Sequence, residues 1–248
     1  MAITITINGT EAACEPGEYI LAVAIRNGVE VPALCRHEGL PEQGCCRLCL
    51  VEAETGGKKE LVAACLYPAA DGCRIVTESD AIDRHRRMIL SLLRAQAPES
   101  AEIAGLCEKY GAREVGRFVK GSGEKCVLCG LCVKACESLG TGAITTAHRG
   151  INKAVATPYG EPSVVCVGCA SCAAVCPTGA IGVSESGGER MIWNKAFPLK
   201  YCRQCGEVIG TYMELWRAAK RIGAETPEIC GTCRKKEITG NMAAAYGK

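Results

Sequence analysis

The chain has 248 residues, 20 of them cysteine, with 4% aromatic side chains and a formal net charge of +2. So few aromatics beside so many thiols exclude one large apolar core and predict several small modules, each held by something besides packing. The near-neutral charge gives no support to a nucleic-acid role, and no segment reaches the apolar length of a membrane span. The N-terminus, from Met1 to Ile7, has no basic stretch leading into a signal-like apolar run. The thiols are therefore expected in the cytoplasm, as metal ligands rather than disulfides.

Residues 3–7 alternate Ile and Thr, the period of a half-buried strand, and Asn8-Gly9 predicts a tight hairpin into a second strand over Thr10–Cys14. A turn at Glu15-Pro16-Gly17 precedes a helix over Tyr19–Arg26, with Ile20, Val23 and Ala24 on one stripe and Asn27-Gly28 as its stop. Residues 34–49 are rich in Gly, Pro and Cys, the composition of a loop wrapped around a ligand. Leu48–Ala53 and Glu60–Ala64 read as a strand pair across Gly56-Gly57, which completes a β-grasp unit over residues 1–78.

A helical connector is expected over 79–120. Ser79 caps a helix through Leu93, with Ile82, Met88, Ile89, Leu92 and Leu93 as its apolar stripe and Arg84, Arg86 and Arg87 as a solvated basic face, docking to a partner being the alternative. Ala97-Pro98-Glu99-Ser100 breaks it before a second helix over Ala101–Tyr110. Gly121-Ser122-Gly123 opens a third module over 121–189, which repeats one plan: four cysteines, a short turn and Gly-Ala-Ile, first in Cys126–Ile144 and again in Cys166–Ile181. The tail, 190–248, places a helix at Tyr212–Ile222 between two cysteine pairs and is expected to fray over Asn241–Lys248. The fold class is α+β throughout.

The repeat carries the strongest chemistry. Cys126-x2-Cys129-x2-Cys132-x3-Cys136 is followed by Cys166-x2-Cys169-x2-Cys172-x3-Cys176-Pro177. Each C-x2-C-x2-C turn directs three thiolates at one cubane, while the fourth cysteine, expected at a helix start, reaches the other. This predicts one [4Fe-4S] cluster on Cys126, Cys129, Cys132 and Cys176, and another on Cys166, Cys169, Cys172 and Cys136. Gly130 and Gly168 would let backbone amides approach the sulfides. The module resembles bacterial 2[4Fe-4S] ferredoxins, with Glu137 standing where proline usually follows the fourth cysteine.

Nearer the N-terminus, Cys35 is followed by Cys45-Cys46, then Cys49 and, at a distance, Cys65, the general plan of a β-grasp [2Fe-2S] site. Spacing alone leaves Cys45 and Cys46 as alternatives. The surrounding text, Leu34-Cys35-Arg36-His37-Glu38-Gly39-Leu40 and Gly44-Cys45-Cys46-Arg47-Leu48-Cys49-Leu50-Val51-Glu52, resembles the N-terminal iron–sulfur region of the large subunit of bacterial NADH dehydrogenase. The same segment occurs in diaphorase subunits of NAD-linked [NiFe]-hydrogenases and at the start of many [FeFe]-hydrogenases. The resemblance selects Cys46, giving Cys35, Cys46, Cys49 and Cys65 as the [2Fe-2S] ligands. It covers roughly residues 1–190 and fails between the two ferredoxin modules. There the family commonly carries a cluster on one histidine and three cysteines, whereas this chain has Cys107 alone.

In the tail, Cys202-x2-Cys205 and Cys230-x2-Cys233 form two knuckles suited to one zinc, with a further iron–sulfur cluster or bare thiols as alternatives. Lys200, Arg203, Arg234 and Lys235 would balance the thiolate charge. Cys14, Cys45, Cys73 and Cys107 remain, and are expected as small buried hydrophobes. His37 is expected to hydrogen-bond beside the first loop, while His85 and His148 read as surface residues.

No Gly-rich nucleotide fingerprint, P-loop or catalytic His/Asp/Ser set is evident, so no catalytic residue is expected. The chain reads as an electron relay. By resemblance its partners would be a flavoprotein binding FMN and NAD(H), a thioredoxin-like [2Fe-2S] subunit and a terminal oxidoreductase subunit such as a hydrogenase or formate dehydrogenase. The competing readings are a free multi-cluster ferredoxin and a non-redox metal-binding scaffold.

Overall fold

The computed structural model describes residues 2–115 and 123–246. Gly121 and Ser122, expected to open the third module, lie outside the described residues, as do 247–248 at the tail.

The first unit is a five-stranded sheet in the order β2-β1-β5-β3-β4, built from β1 (Ile3–Ile7), β2 (Thr10–Cys14), β3 (Leu50–Thr55), β4 (Lys58–Ala63) and β5 (Arg74–Val76). Strand β1 turns Ile5 and Ile7 into the core and its threonines outward, and Asn8-Gly9 takes positive φ at both positions, the geometry of a type I′ turn. Strand β5, which the sequence did not disclose, runs parallel to β1 and antiparallel to β3. Helix α1 (Ile20–Arg26) lays Ile20, Leu21, Val23 and Ala24 into the core that this sheet covers. Strand β3 starts slightly C-terminal to its expected start, because the loop around the cysteines runs on through Cys49, while β4 starts slightly N-terminal to its own.

Helix α2 (Asp80–Gln96) is capped by the Ser79 hydroxyl, which accepts from the Ile82 amide at 3.2 Å. Its phase differs from the expected stripe. Met88 and Leu92 face solvent, while Ile82, Arg86, Leu90 and Leu93 point inward. The expected basic face is corrected in the same way: Arg86 is 2% exposed, and burial lowers its pKa. Its guanidinium donates from Nε to the Leu48 carbonyl at 3.2 Å and from Nη2 to the Leu50 carbonyl at 2.8 Å. Helix α3 (Ala101–Tyr110) starts at a second hydroxyl cap, Ser100, and packs on α2.

The third unit contains α4 (Leu131–Ser138), a two-stranded sheet of β6 (Thr145–Ala147) and β7 (Ala154–Ala156), and the short α5 (Ser171–Ala174). A four-stranded sheet, order β11-β10-β9-β8, then leads into the tail. It comprises β8 (Ser184–Ser186), β9 (Glu189–Ile192), β10 (Lys195–Tyr201) and β11 (Val208–Thr211), so it begins before residue 190. The Gly187-Gly188 turn between β8 and β9 was the signal available for it. Helix α6 (Tyr212–Ile222) opens with a capping box of Thr211 and Glu214 and closes at Gly223 in the left-handed region. Helix α7 (Gly231–Tyr246) continues through most of the segment expected to fray. No described helix is long and apolar enough to cross a membrane.

Candidate cluster and metal sites

The loop between α1 and β3 folds back so that Cys35, Cys46, Cys49 and Cys65 are all buried together. They approach in two pairs. Cys35 Sγ lies 3.4 Å from Cys46 Sγ, and Cys49 hydrogen-bonds Cys65. The Cys35 bond, reinforced by nearby backbone amides, lowers the Cys46 thiol to about 6 despite its burial. Backbone amides of Leu34 and Cys46 donate to Cys46 Sγ and Cys35 Sγ, both at 3.4 Å. Cys45, expected to be buried, is exposed instead, its thiol turned toward the Gln43 carbonyl at 3.4 Å. Adjacent residues on an extended loop face opposite ways, so burial of Cys46 forces Cys45 outward. His37 accepts from the Gly39 amide through Nδ1 at 3.2 Å, and His85 and His148 are exposed. Cys14 and Cys73 are buried as expected, and Cys107 is half-buried in the α2–α3 contact.

The ferredoxin-like unit has two cavities, each lined by four cysteines. One, of 210 Å³, is lined by Cys126, Cys129, Cys132 and Cys176. A smaller one is lined by Cys136, Cys166, Cys169 and Cys172. The electrostatics divide in the same way. Burial first, then the charges of Cys129, Cys126 and Cys176, push the Cys132 thiol up to about 12. Cys172 is raised by burial and by Cys169, Cys136 and Cys166. A cationic centre bound in each cavity would offset the desolvation and repulsion that raise Cys132 and Cys172.

The fourth cysteines do not stand at helix starts. Cys136 lies in the last turn of α4 and Cys176 just beyond α5. The turn that follows each returns an amide to it, Ala143 to Cys136 at 3.2 Å and Ala180 to Cys176 at 3.3 Å. Glu137 is explained by that helix, since it pairs with Lys134 at 2.8 Å across one turn that a proline would break. Gly130 and Gly168 both have positive φ. At Gly168 the reason is also steric, because a Cβ there would meet the Phe197 ring at 2.5 Å.

The tail cysteines make a different kind of site. The Sγ atoms of Cys202, Cys205, Cys230 and Cys233 all lie within 4.8 Å of one another, with Cys205 and Cys230 at 3.7 Å. Among the described residues no other group of three or more His, Cys, Asp or Glu side chains closes to this spacing. Backbone amides of Cys230 and Cys233 point at Cys202 Sγ and Cys230 Sγ. Lys200, expected to balance these thiolates, instead binds Glu228 at 2.6 Å.

Comparison with known proteins decides the nature of the first and third units. Residues 1–80 match the 2Fe-2S iron-sulfur cluster binding domain, and residues 125–180 match the 4Fe-4S dicluster domain. The chain is an iron–sulfur protein. It is 31% identical over 82% of its length to a subunit of the NADH-quinone oxidoreductase of Rhizobium meliloti, covering 27% of that protein. It is 28% identical over 98% of its length to NADP-reducing hydrogenase subunit HndD of Solidesulfovibrio fructosivorans, covering 44%. The NADPH-Fe(3+) oxidoreductase subunit alpha of Geobacter sulfurreducens is 30% identical over 72% of this chain, which covers 24% of it. The chain thus spans under half the length of each of these relatives. A crystal structure of NAD+-reducing [NiFe]-hydrogenase matches with a TM-score of 0.62 and 27% identity, over 71% of this chain and 85% of that one. By name, the sequence relatives are subunits of an NADP-reducing hydrogenase and of NADH- and NADPH-linked oxidoreductases.

Proposed function

We propose that this chain relays single electrons between a flavoprotein that binds FMN and NAD(H) and a further redox centre, within a multi-subunit oxidoreductase of the cytoplasm. One observation carries the reading. The two-iron loop and the first cubane site share a single apolar cluster, in which Leu34, Cys35, Cys46 and Leu48 pack with Cys129 and Leu131 through Leu90 and Leu93 of α2. The Cys46 charge is felt at Cys129, and the Gln43 amide reaches Gly130. Centres built into one water-poor medium suit electron passage better than independent metal staples do.

In this reading Cys35 and Cys46 hold one iron of a [2Fe-2S] cluster and Cys49 and Cys65 the other, which accounts for their pairing. Cys126, Cys129, Cys132 and Cys176 hold the first cubane, and Cys136, Cys166, Cys169 and Cys172 the second. Bound there, the clusters supply one-electron chemistry, and the chain supplies burial and amide hydrogen bonds that set their potentials. The tail site holds a single ion. Four thiolates around one zinc at about 2.3 Å stand roughly 3.8 Å apart, which the 3.7 Å between Cys205 and Cys230 and the 4.8 Å limit on the whole set suit, whereas thiolates capping four corners of a cubane stand farther apart. A thioredoxin-like [2Fe-2S] subunit and a terminal oxidoreductase subunit complete the proposed assembly.

Anaerobic metal analysis tests this assignment. About ten irons and about one zinc per chain are expected. About fourteen irons with no zinc would place a cubane in the tail instead.

A further inference from the structure

The β9–β10 hairpin turns through Trp193-Asn194, both in the left-handed region, at φ +53° and +57°. The other three tight hairpins among the described residues use Asn8-Gly9, Gly56-Gly57 and Gly187-Gly188 for the same turn, the residues that tolerate it. A bulky aromatic at such a position is an outlier that the surroundings must hold in place. The surroundings here are the two cubane sites. The Trp193 ring lines both the cavity of Cys126, Cys129, Cys132 and Cys176 and that of Cys136, Cys166, Cys169 and Cys172. Its Nε1–H donates to Cys172 Sγ at 3.5 Å. The same ring also walls off an open cleft of 420 Å³ beside Thr157 and Gly160. The sheet that delivers it lies beyond residue 180, where the match to the dicluster domain ends. It is fastened to the second cubane loop by Arg190 to the Gly168 carbonyl at 2.9 Å and by Phe197 over Gly168.

We propose that Trp193 is a positioning residue of the second cubane: its indole N–H sets that cluster's potential through Cys172, and its ring keeps water from between the two cubanes. The inference rests on the proposed ligation of the second cluster by Cys136, Cys166, Cys169 and Cys172. Reduction adds negative charge to a cubane and its thiolates, and a hydrogen bond donated to one of them favours the reduced form. Removing it lowers the potential of the second cubane alone.

The test is an anaerobic redox titration of the whole chain followed by paramagnetic resonance, comparing the natural protein with Trp193→Phe, which keeps a ring and loses the donor. The expected result is a lower midpoint for one cubane, with the other cubane and the two-iron centre unmoved. An unchanged midpoint in a variant that still carries both cubanes overturns the proposal. A second measurement does not depend on the variant assembling. In the natural protein grown with indole-15N tryptophan, reduced cubane two should show a nitrogen hyperfine coupling, because the second tryptophan, Trp216, is exposed on α6. Absence of that coupling also overturns it. If the natural protein itself shows no two distinguishable cubanes, the ligation reading fails, and the spectra report that before any variant is compared.

Discussion

Arg86 carries a full charge in an interior that excludes water, with its guanidinium on the carbonyls of Leu48 and Leu50 and 5.8 Å from the centre of the Tyr110 ring. Those carbonyls flank Cys49, so the helix fixes the strand entry of the two-iron site through one side chain. Arg86→Leu leaves two carbonyls without their donors, at a cost of about 1–3 kcal/mol for a buried unsatisfied group. The expected outcome is a lower urea midpoint for bleaching of the two-iron centre. Arg86→Lys should restore only part of it, since an ammonium lacks the planar fork. An unchanged midpoint in Arg86→Leu would show that the carbonyls find other donors. Cys176 offers a sharper test at the same scale. It belongs to the second motif but lines the first cavity with Cys126, Cys129 and Cys132. Cys176→Ser should therefore perturb the cubane of the first motif and leave the second cubane and the two-iron signal intact. Damage confined to the cubane on Cys166, Cys169 and Cys172 would mean that each motif binds its own cluster in sequence.

The tail is an element that cannot hold itself by packing. Few of its side chains are buried, chiefly Ile192, Phe197, Leu199 and Ala219, and Trp216 and Ile222 stand in solvent. A unit with so little core needs a staple, and the four-thiolate site joins the end of β10 to the start of α7. The fully buried Thr211 links this unit to the second cubane loop: its hydroxyl donates to the Val167 carbonyl at 2.5 Å and accepts from the Glu214 amide at 3.1 Å. Loss of the tail ion should loosen α6 and α7 and uncover the second cubane. Cys205→Ser is expected to raise protease cleavage within residues 202–246 and to speed oxygen bleaching of the second cubane more than the first. Equal bleaching of both cubanes would count against the tail as a shield.

At the scale of the whole molecule, α2 and α3 pack in one apolar cluster with the cysteine loop of the first unit and the first cubane site, and the tail sheet packs on the second. The proposed centres therefore follow one another from the two-iron loop to the second cubane. In the proposed relay, two-electron chemistry belongs to partner subunits rather than to this chain. The purified, flavin-free chain should not reduce dyes with NADH, while dithionite should reduce its clusters. NADH-dependent dye reduction would overturn the relay reading and require a nucleotide site on this chain.

The sequence by itself determined the local features. Hairpin residues, the hydroxyl cap at Ser79, and the span of α6 follow from short-range sterics and hydrogen bonding, and so they are legible in a few consecutive residues. The cysteine motifs are legible for the same reason, because three cysteines of each ferredoxin-like group lie on one short stretch of chain. What only the tertiary structure decided depends on the neighbour. The inward turn of Arg86 follows from the carbonyls of Leu48 and Leu50, at the entry to β3 and distant in sequence. Strand β5 is a strand because β1 and β3 leave a gap between them. Trp193 occupies a turn that its own backbone preference resists, because two thiolate-lined cavities on a different unit receive its ring.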